Sequence, residues 1–266
     1  MMGYKMMAYN WLNVISVLIL SRSLTAAEHV VIDMQTAPTD PLVEMMWPPT
    51  GSPDRYQFTN EGMVIEQQGD SKGDPSGVIG LRTMIPARGD FEIKLDLKMT
   101  KLQAPTSGWG QGMVFAVFLD DPEETILKLN QICIPGQKPV SAIEISGRGV
   151  KEPKFSSADP LSEGTLSIAR VDDEAVFRID DGSGFREVYR SKCPKADMRS
   201  VEIICTRLPE GNTPVELTLK KLTITADLFY TFRTPEESWF SVWKVLIAAQ
   251  VLFIIGLLVY KVKTGS

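Results

Sequence analysis

Between residues 28 and 233, apolar and polar residues alternate in short runs, and no helical period of useful length appears. In FEIKLDLKM (91–99), apolar side chains occupy every odd position and charged side chains every even position. A period of two places one set of side chains on each face of a β-strand. Many such runs, separated by Gly, Pro, Asp and Asn, are typical of all-β sandwiches. The pattern therefore predicts an all-β fold, an antiparallel sandwich.

Five other runs predict strands of the same sandwich. They are VVIDM (30–34), GMVFAVFLDD (112–121), SAIEISG (141–147), VEIICTRL (201–208) and VELTLKKLTITADL (215–228). We expect the first to be an edge strand. The second is almost continuously apolar, as expected of a central strand that is covered on both faces. In the last, the apolar phase slips at Lys220 and Lys221, which predicts a β-bulge.

Acidic, glycine-rich turns interrupt the alternation between residues 164 and 190. The sequence predicts three strands, Thr165–Val171, Glu174–Asp180 and Phe185–Tyr189, joined at Asp172-Asp173 and at DGSG (181–184). Asp and Gly supply the positive φ angles that tight turns need. A calcium loop needs about six or more converging oxygens, and its D-x-[DN]-x-[DN]-G spacing is absent. We therefore predict turns here, and no metal site.

The N-terminus has the order of features found in a secretory signal peptide. Lys5 precedes the apolar run WLNVISVLIL (11–20), and small residues follow at Thr25 and Ala27. A run of about ten apolar residues is too short to span a bilayer. A buried N-terminal helix is the alternative. We predict a signal peptide over residues 1–27, because cation, apolar core and small residues follow each other in the order of such segments.

The C-terminus predicts a transmembrane helix over residues 234–260, followed by a short cytoplasmic tail, 261–266. The run VLIAAQVLFIIGLLVY (245–260) carries no charge. Counted from Trp239, about 22 residues at about 1.5 Å each give about 33 Å, enough to cross the hydrocarbon core. Aromatic and cationic residues flank the run as membrane anchors, namely Trp239, Trp243, Tyr260, Lys261 and Lys263. A buried core helix would instead show a polar stripe.

Signal peptide and anchor together predict a single-pass type I protein of the cell membrane, with residues 28–233 as an extracytoplasmic domain. Without the signal peptide, the chain would be a tail-anchored cytosolic protein. The segments 1–27 and 238–266 hold five of the 28 Lys and Arg residues and no Asp or Glu, which leaves 23 cations against 33 anions, a net charge of −10. This charge argues against nucleic acid as a partner, because phosphates require clustered Lys and Arg.

Three cysteines lie between the two terminal segments: Cys133, Cys193 and Cys205. An oxidising compartment would permit one disulfide, and Cys193 with Cys205 closes the shortest loop. The domain is large enough to form a core without a disulfide, so all three can equally be unpaired.

The order of the predicted strands resembles the concanavalin A-like lectin/glucanase superfamily, above all its laminin-G-like members and secreted bacterial domains with the same jelly roll. The residues that carry the resemblance are Trp47, Gly62-Met63-Val64, Gly80-Leu81, DFEIKLDLKM (90–99), GMVFAVFLDD (112–121), TLSIARVDDEAVFRIDDGSGFREV (165–188) and VELTLKKLTI (215–224). It covers about residues 42–227 and implies a jelly-roll sandwich. Jelly rolls of this superfamily commonly pair their first and last strands, which would place VVIDM beside the strand at 215–228. The fold hosts lectins, glycosidases, lyases and structural modules, so it does not choose a function.

The residues for hydrolytic catalysis are largely missing. His29 is the only histidine, and it lies outside the predicted core, which argues against Ser-His-Asp or Cys-His catalysis and against a His-ligated metal. The superfamily's glucanases carry a Glu-x-Asp motif that this chain lacks. On the strand at 91–99, Glu92 and Asp96 would lie about 13 Å apart, beyond the about 5–9.5 Å of glycosidase carboxylates. We predict a protein without catalytic residues or cofactor.

Aromatic side chains on loops are better candidates for a ligand site. Trp109 lies between glycines in QAPTSGWGQG (103–112), and Trp47 and Tyr56 lie in WPPTGSPDRYQF (47–58). Such rings either stack on the apolar face of a sugar or fold back to close the end of the sandwich. Arg82, Arg148 and Asp120 are further candidates without a supporting spacing.

The sequence therefore predicts a membrane-anchored extracytoplasmic module that binds a polysaccharide or a protein of the cell envelope. A structural, complex-forming envelope protein without a small ligand is the first alternative. A glycoside hydrolase of the concanavalin A-like fold is the second.

Overall fold

The computed structural model describes residues 28–39, 43–46, 56–67, 78–106, 110–151, 153–206 and 214–229. These ranges form fifteen strands, β1 (Glu28–Asp33), β2 (Val43–Met46), β3 (Tyr56–Thr59), β4 (Gly62–Gln67), β5 (Val78–Thr83), β6 (Ala87–Leu102), β7 (Gln111–Leu119), β8 (Ile126–Cys133), β9 (Val140–Ser146), β10 (Lys154–Ala158), β11 (Glu163–Val171), β12 (Glu174–Asp180), β13 (Arg186–Lys192), β14 (Met198–Thr206) and β15 (Val215–Phe229). Within them there is no helix of the length and apolarity that crossing a membrane requires. The predicted signal peptide and transmembrane helix, with all five anchor residues, lie outside the described residues.

The strands form two antiparallel sheets. The first sheet has the order β13-β12-β11-β6-β15; β4 and β1 pair with successive parts of the free edge of β15, and β3 pairs with β4. The second sheet has the order β10-β9-β8-β7-β14-β5-β2. One pair, Ala87 of β6 and Met198 of β14, joins the two sheets. The predicted all-β antiparallel architecture is confirmed.

One hydrophobic core lies between the sheets. On β6, Phe91, Ile93, Leu95 and Leu97 are at most 3% exposed. They belong to the same buried cluster as the odd-numbered apolar residues of β7 in the second sheet. Each such side chain contributes about 1.5–3 kcal/mol when removed from water. The alternation read from the sequence therefore assigns the core side of β6 correctly.

The predicted pairing of the first and last strands is confirmed. β1 runs antiparallel to β15, from Glu28 opposite Ala226 to Asp33 opposite Lys221. Within this edge strand Ile32 is buried, whereas Val31 points outward and is 52% exposed. The register of β15 against β6 shifts between Leu219 and Lys221, which confirms the predicted bulge.

The acidic stretches at 172–173 and 180–184 are turns. Asp172 adopts a φ of 55°, a left-handed conformation that Asp tolerates better than most residues. In the next turn, Asp180 Oδ1 accepts the backbone N–H groups of Gly182 and Gly184 at 2.8 and 2.9 Å. Asp181 Oδ1 accepts hydrogen bonds from the N–H and hydroxyl of Ser183. These carboxylates stabilise the turn by capping its backbone donors.

All three cysteines are buried, and the structure shows no disulfide between the candidate partners Cys193 and Cys205. Cys205 belongs to the central strand β14, whereas Cys193 follows β13 at the edge of the first sheet. Burial raises the pKa of Cys193 to about 11 and that of Cys205 to about 12. Both thiols therefore remain protonated at neutral pH, the form that is unreactive toward oxidants.

Candidate functional site

The outer face of the second sheet carries the side chains that point away from the core. Strand alternation assigns it Gly80, Arg82, Gly112, Val114, Ala116, Phe118, Ile126, Lys128, Asn130, Ile132, Ala142, Glu144, Ser146, Phe155, Glu202 and Ile204. Several of them are apolar and only half-buried, and the Phe155 side chain is 69% exposed. The solvated face of an antiparallel sheet is normally polar, and a contiguous apolar surface marks a site of interaction.

One row of side chains crosses the middle of this face. The strand register places in it, from β5 to β10, Arg82, Glu202, Ala116, Lys128, Glu144 and Phe155. Arg82 donates from Nε to Glu202 Oε1 at 2.6 Å, and Lys128 donates from Nζ to Glu144 Oε1 at 3.0 Å. The small side chain of Ala116 separates these two ion pairs. The row thus combines charged donors and acceptors with apolar surface, which is the mixture that sugar hydroxyls and ring carbons require.

Asn130 supplies a buried acceptor beside this row. Its side chain is 8% exposed, and Oδ1 has no hydrogen-bond partner among the described residues. A buried polar atom without a partner costs about 1–3 kcal/mol. A ligand hydroxyl that reached this oxygen would recover that free energy.

The acids of this face are not placed for glycoside hydrolysis. Glu202 and Glu144 lie on strands β14 and β9, which β7 and β8 separate. Three strand spacings of about 4.8 Å put them about 14 Å apart, whereas glycosidase carboxylates lie about 5–9.5 Å apart. Glu202 and Glu144 are therefore too far apart to act together as the two carboxyl groups of a glycosidase.

The predicted aromatic site residues do not all lie on this face. Tyr56 begins β3 at the edge of the first sheet, where it packs half-buried on the core and meets the Phe58 ring edge-on at 5.8 Å. Trp47 and Trp109 lie outside the described residues.

The described residues beside the two tryptophans are at one end of the second sheet. Met46 is opposite Gly80 on β5, and Gly110 precedes Gly112, which is opposite Thr206 on β14. The other three candidate residues do not lie together. Arg82 is in the central row, and Arg148 follows β9. Asp120 is in a connection between strands, where its backbone N–H donates to the Asp197 carbonyl.

The outer face of the first sheet has a different character, because its charges pair with each other. Glu92 accepts hydrogen bonds from Ser167 Oγ and Arg178 Nη1, both at 3.0 Å, and lies 2.9 Å from Lys94 Nζ. Burial alone would raise the pKa of Glu92, but the hydrogen bonds from Lys94 and Ser167 and the charges of Lys94 and Arg178 lower it. Asp96, the other predicted acid on this strand, accepts from Thr165 Oγ1 at 2.7 Å and pairs with Lys221.

A pair that the sequence analysis did not consider is Asp90 with Glu92. The two residues are two positions apart on one face of β6, so their carboxyl groups lie about 7 Å apart, within the glycosidase range. With Asp227 and Arg178 they surround an open cavity of about 220 Å³. Its sequence signal is the Asp-x-Glu order on a strand.

The chemistry of this pair does not match that of a glycosidase. Asp90 Oδ1 accepts a hydrogen bond from the Asp172 N–H at 2.8 Å, and Asp227 Oδ2 accepts one from the Asp90 N–H at 2.9 Å. The carboxylates of Asp90 and Asp227 therefore stabilise the backbone of neighbouring segments. The pKa of Glu92 is lowered, whereas the acid of a glycosidase needs a raised pKa to donate a proton.

Several solved structures have a fold similar to that of this chain. An endo-acting O-glycanase from the human gut microbiota, which initiates mucin breakdown, matches with a TM-score of 0.52 and 12% identity over 74% of this chain and 98% of its own. This protein and the O-glycanase therefore share a sandwich fold. The CBM2 module of the evolved Dit protein of Lactobacillus casei BL23 phage J-1 matches with a TM-score of 0.53 and 9% identity over 77% and 100% of the two chains.

A third similar structure is the GlcNAcα1-4Gal-releasing endo-β-galactosidase from Clostridium perfringens. Its TM-score is 0.52 at 14% identity, and the match covers 75% of this chain and 62% of the galactosidase. No family model and no curated protein matches the sequence. At these identities the likeness concerns the fold, which binding modules and hydrolases share.

Proposed function

We propose that this protein is a glycan-binding module that holds a polysaccharide on the outer face of its second sheet. The observation that carries the proposal is the composition of that face, with half-buried apolar residues around the two ion pairs of the central row and the unpartnered Asn130 Oδ1. Solved structures with a similar fold include a CBM2 module and enzymes that act on glycans, which supports a saccharide as the ligand class.

We also propose that the module is extracytoplasmic and anchored to the cell membrane by residues 234–260. The support is in the sequence: a signal-like segment at 1–27 and an uncharged apolar run at 245–260 between aromatic and cationic residues. A module held in this way would bind polymer that lies against the membrane.

Two exposed phenylalanines on opposite sheets provide a test with an internal control. Phe155 belongs to the outer face of the second sheet and is 69% exposed, whereas Phe185 is 44% exposed in the turn before β13, with Lys94 Nζ 5.0 Å from its ring centre. We expect F155S to weaken binding to a retained polysaccharide about tenfold, and F185S to leave it unchanged. Affinity electrophoresis of the purified full-length protein in gels that contain each of a panel of polysaccharides measures both.

Either of two results would contradict the proposal. Equal losses in F155S and F185S would assign binding to another surface. No retardation by any polysaccharide, together with co-purification of a stoichiometric envelope protein that F155S releases, would favour the structural alternative.

Hydrolysis at the cavity beside Asp90 and Glu92 is the second candidate function, because these two carboxyl groups have the required separation and line an open cavity. Assay of reducing-end release from the same polysaccharides by the full-length protein, compared with D90N and E92Q, tests it. Release that both substitutions abolish would establish an enzyme; we expect none above background.

A further inference from the structure

We propose that the outer face of the second sheet ends in a subsite for a carboxylate-bearing sugar, formed by Arg148 and Arg199. This inference rests on the proposed function and adds the chemical class of the ligand. The subsite is a cavity of about 280 Å³ at the end of the sheet opposite Met46 and Gly112. Phe118, Ile126 and Ser146, one row beyond the central row, line its base.

Arg199 is placed in the cavity by a β-bulge. The register of β14 against β7 shifts between Met198 and Ser200, so Arg199 is the extra residue. Bulges of this kind redirect a side chain out of the regular alternation. The Arg199 guanidinium carbon lies 5.7 Å from the centre of the Phe118 ring. A guanidinium in contact with an aromatic ring keeps its planar N–H groups available to a ligand, and a carboxylate fits them with two parallel hydrogen bonds.

Arg199 has no ion-pair partner among the residues that the structure describes. Arg148, the second cation, lies 3.9 Å from Glu124 Oε1, and both of these side chains are more than half exposed. Two guanidinium groups and one carboxylate give the cavity a net charge of +1, whereas residues 28–237 together have a net charge of −10. One ligand carboxylate would neutralise this excess, while Glu124 would accept hydrogen bonds from sugar hydroxyls.

The backbone around the cavity is held in an unusual conformation. Glu124 has a φ of 50°, which is rare for a residue other than Gly, Asn or Asp. A Cβ atom on Gly147 would lie 2.6 Å from the Glu124 carbonyl oxygen, and one on Gly149 would lie 2.8 Å from Glu123 Cα. The two glycines therefore allow the loops after β7 and β9 to touch. Residues kept in sparsely populated conformations cluster at ligand sites, where they fix side chains before binding.

The test compares an acidic tetrasaccharide with its neutral counterpart on the purified full-length protein. The probes are α-1,4-linked tetragalacturonate, the α-1,4-linked tetrasaccharide of galactose, and a sulfated form of the latter, each titrated by calorimetry. We expect the uronate to bind at least about tenfold more tightly than the neutral sugar, and this advantage to shrink as salt screens the charges.

Two substitutions and a matched control locate the effect. We expect R199Q and R148Q each to weaken uronate binding about tenfold and to change neutral-sugar binding less than about twofold. R186Q removes the same charge from an exposed position on β13 of the first sheet and should change neither. Because these arginines are exposed, the melting temperature of all three variants should remain that of the parent.

Three results would overturn the subsite. Equal affinity for the uronate and the neutral sugar would refute the carboxylate subsite, but the proposed glycan binding would still stand. Tighter binding of the sulfated sugar would assign the site to sulfate and refute the carboxylate assignment. Equal losses of uronate binding in R186Q and R199Q would show that the net charge of the protein, and not a local subsite, attracts the uronate. Failure to bind any oligosaccharide, in contrast, would overturn the proposed function itself.

Discussion

Glu92 combines partial burial with two cations and a hydroxyl within hydrogen-bond distance. Removal from water favours the protonated acid, whereas Lys94, Ser167 and Arg178 favour the carboxylate. The pKa of Glu92 is lowered, so the three neighbours together outweigh the effect of burial. At the residue scale, the charged side chains on the outer face of the first sheet therefore neutralise each other. Its charges stabilise the fold and leave few unsatisfied groups for a ligand.

This network has a pH signature. A pKa lowered in the folded state means that Glu92 stabilises the protein above its unfolded pKa of about 4.3, and that this contribution is lost as the pH falls through the folded value. We expect E92Q to lower the free energy of unfolding by about 1–2 kcal/mol at pH 7. The deficit should shrink below about pH 4. Urea denaturation at pH 7, 4 and 3 measures it.

E61Q is the matched control, because Glu61 is exposed in the turn before β4. It should cost less than about 0.5 kcal/mol at every pH. A deficit of E92Q that stays constant from pH 7 to 3 would mean that the carboxylate charge is not what stabilises the protein.

Among the elements, β1 shows how a short edge strand can contribute to a whole domain. It adds six residues to the free edge of β15, and by pairing them it satisfies backbone groups that would otherwise be exposed on the edge. Its inward side chain Ile32 extends the core, and Met34, directly after the strand, is fully buried.

Two substitutions on β1 separate its inward and outward sides. We expect I32A to lower the free energy of unfolding by about 2–4 kcal/mol, because it leaves a cavity in the core. V31A should change it by less than about 0.5 kcal/mol, since Val31 is 52% exposed. Chemical denaturation of the two variants measures the difference. Similar values for both would show that β1 does not pack as described, and deletion of 28–35 should then cost nothing.

How far the sequence predicts an element depends on how strictly that element alternates. β12 has the bounds that its alternation predicts, and β6 extends the predicted run at both ends. β8 is absent from the predicted strands because Gln131, a polar residue, faces the core. There Gln131 donates to Ser141 Oγ and accepts the Leu161 N–H. A buried polar residue with partners distant in sequence is invisible to a pattern of apolar and polar positions.

The candidate site is less predictable than the strands. Arg82 stands out in the sequence only as an isolated charge, because its partner Glu202 is 120 positions away. The central row follows from the register of six strands, and three of them, β5, β8 and β10, are not among the strands that the sequence predicts. The Arg199 bulge likewise arises from strand pairing. Residue types indicate what a surface can bind, but only the topology determines which of them meet.

For the whole molecule, the outer faces of the two sheets differ in composition. The first sheet presents paired charges to solvent, whereas the second presents apolar surface, an unpartnered amide oxygen and an arginine without a carboxylate among the described residues. This asymmetry agrees with the proposed function, in which the second sheet faces the polysaccharide.

The proposed location has its own test. Protease added to intact cells or spheroplasts should digest residues 28–233 and leave only the anchor protected, because we place the whole domain outside the membrane. Immunoblotting with a C-terminal tag detects the protected fragment, and lysis with detergent provides the control for complete digestion. A domain that survives until lysis would reverse the orientation.

Glu28 lies opposite Ala226, so the first and last described strands are side by side, and the Phe229 N–H donates to Glu28 Oε2 at 3.4 Å. The sandwich therefore enters and leaves at neighbouring points, about 5 Å apart across the strand pair. A unit with adjoining ends can be spliced into a surface loop of another protein without forcing that loop open. In evolutionary terms, such a domain can move between different proteins while the outer faces of its two sheets stay intact.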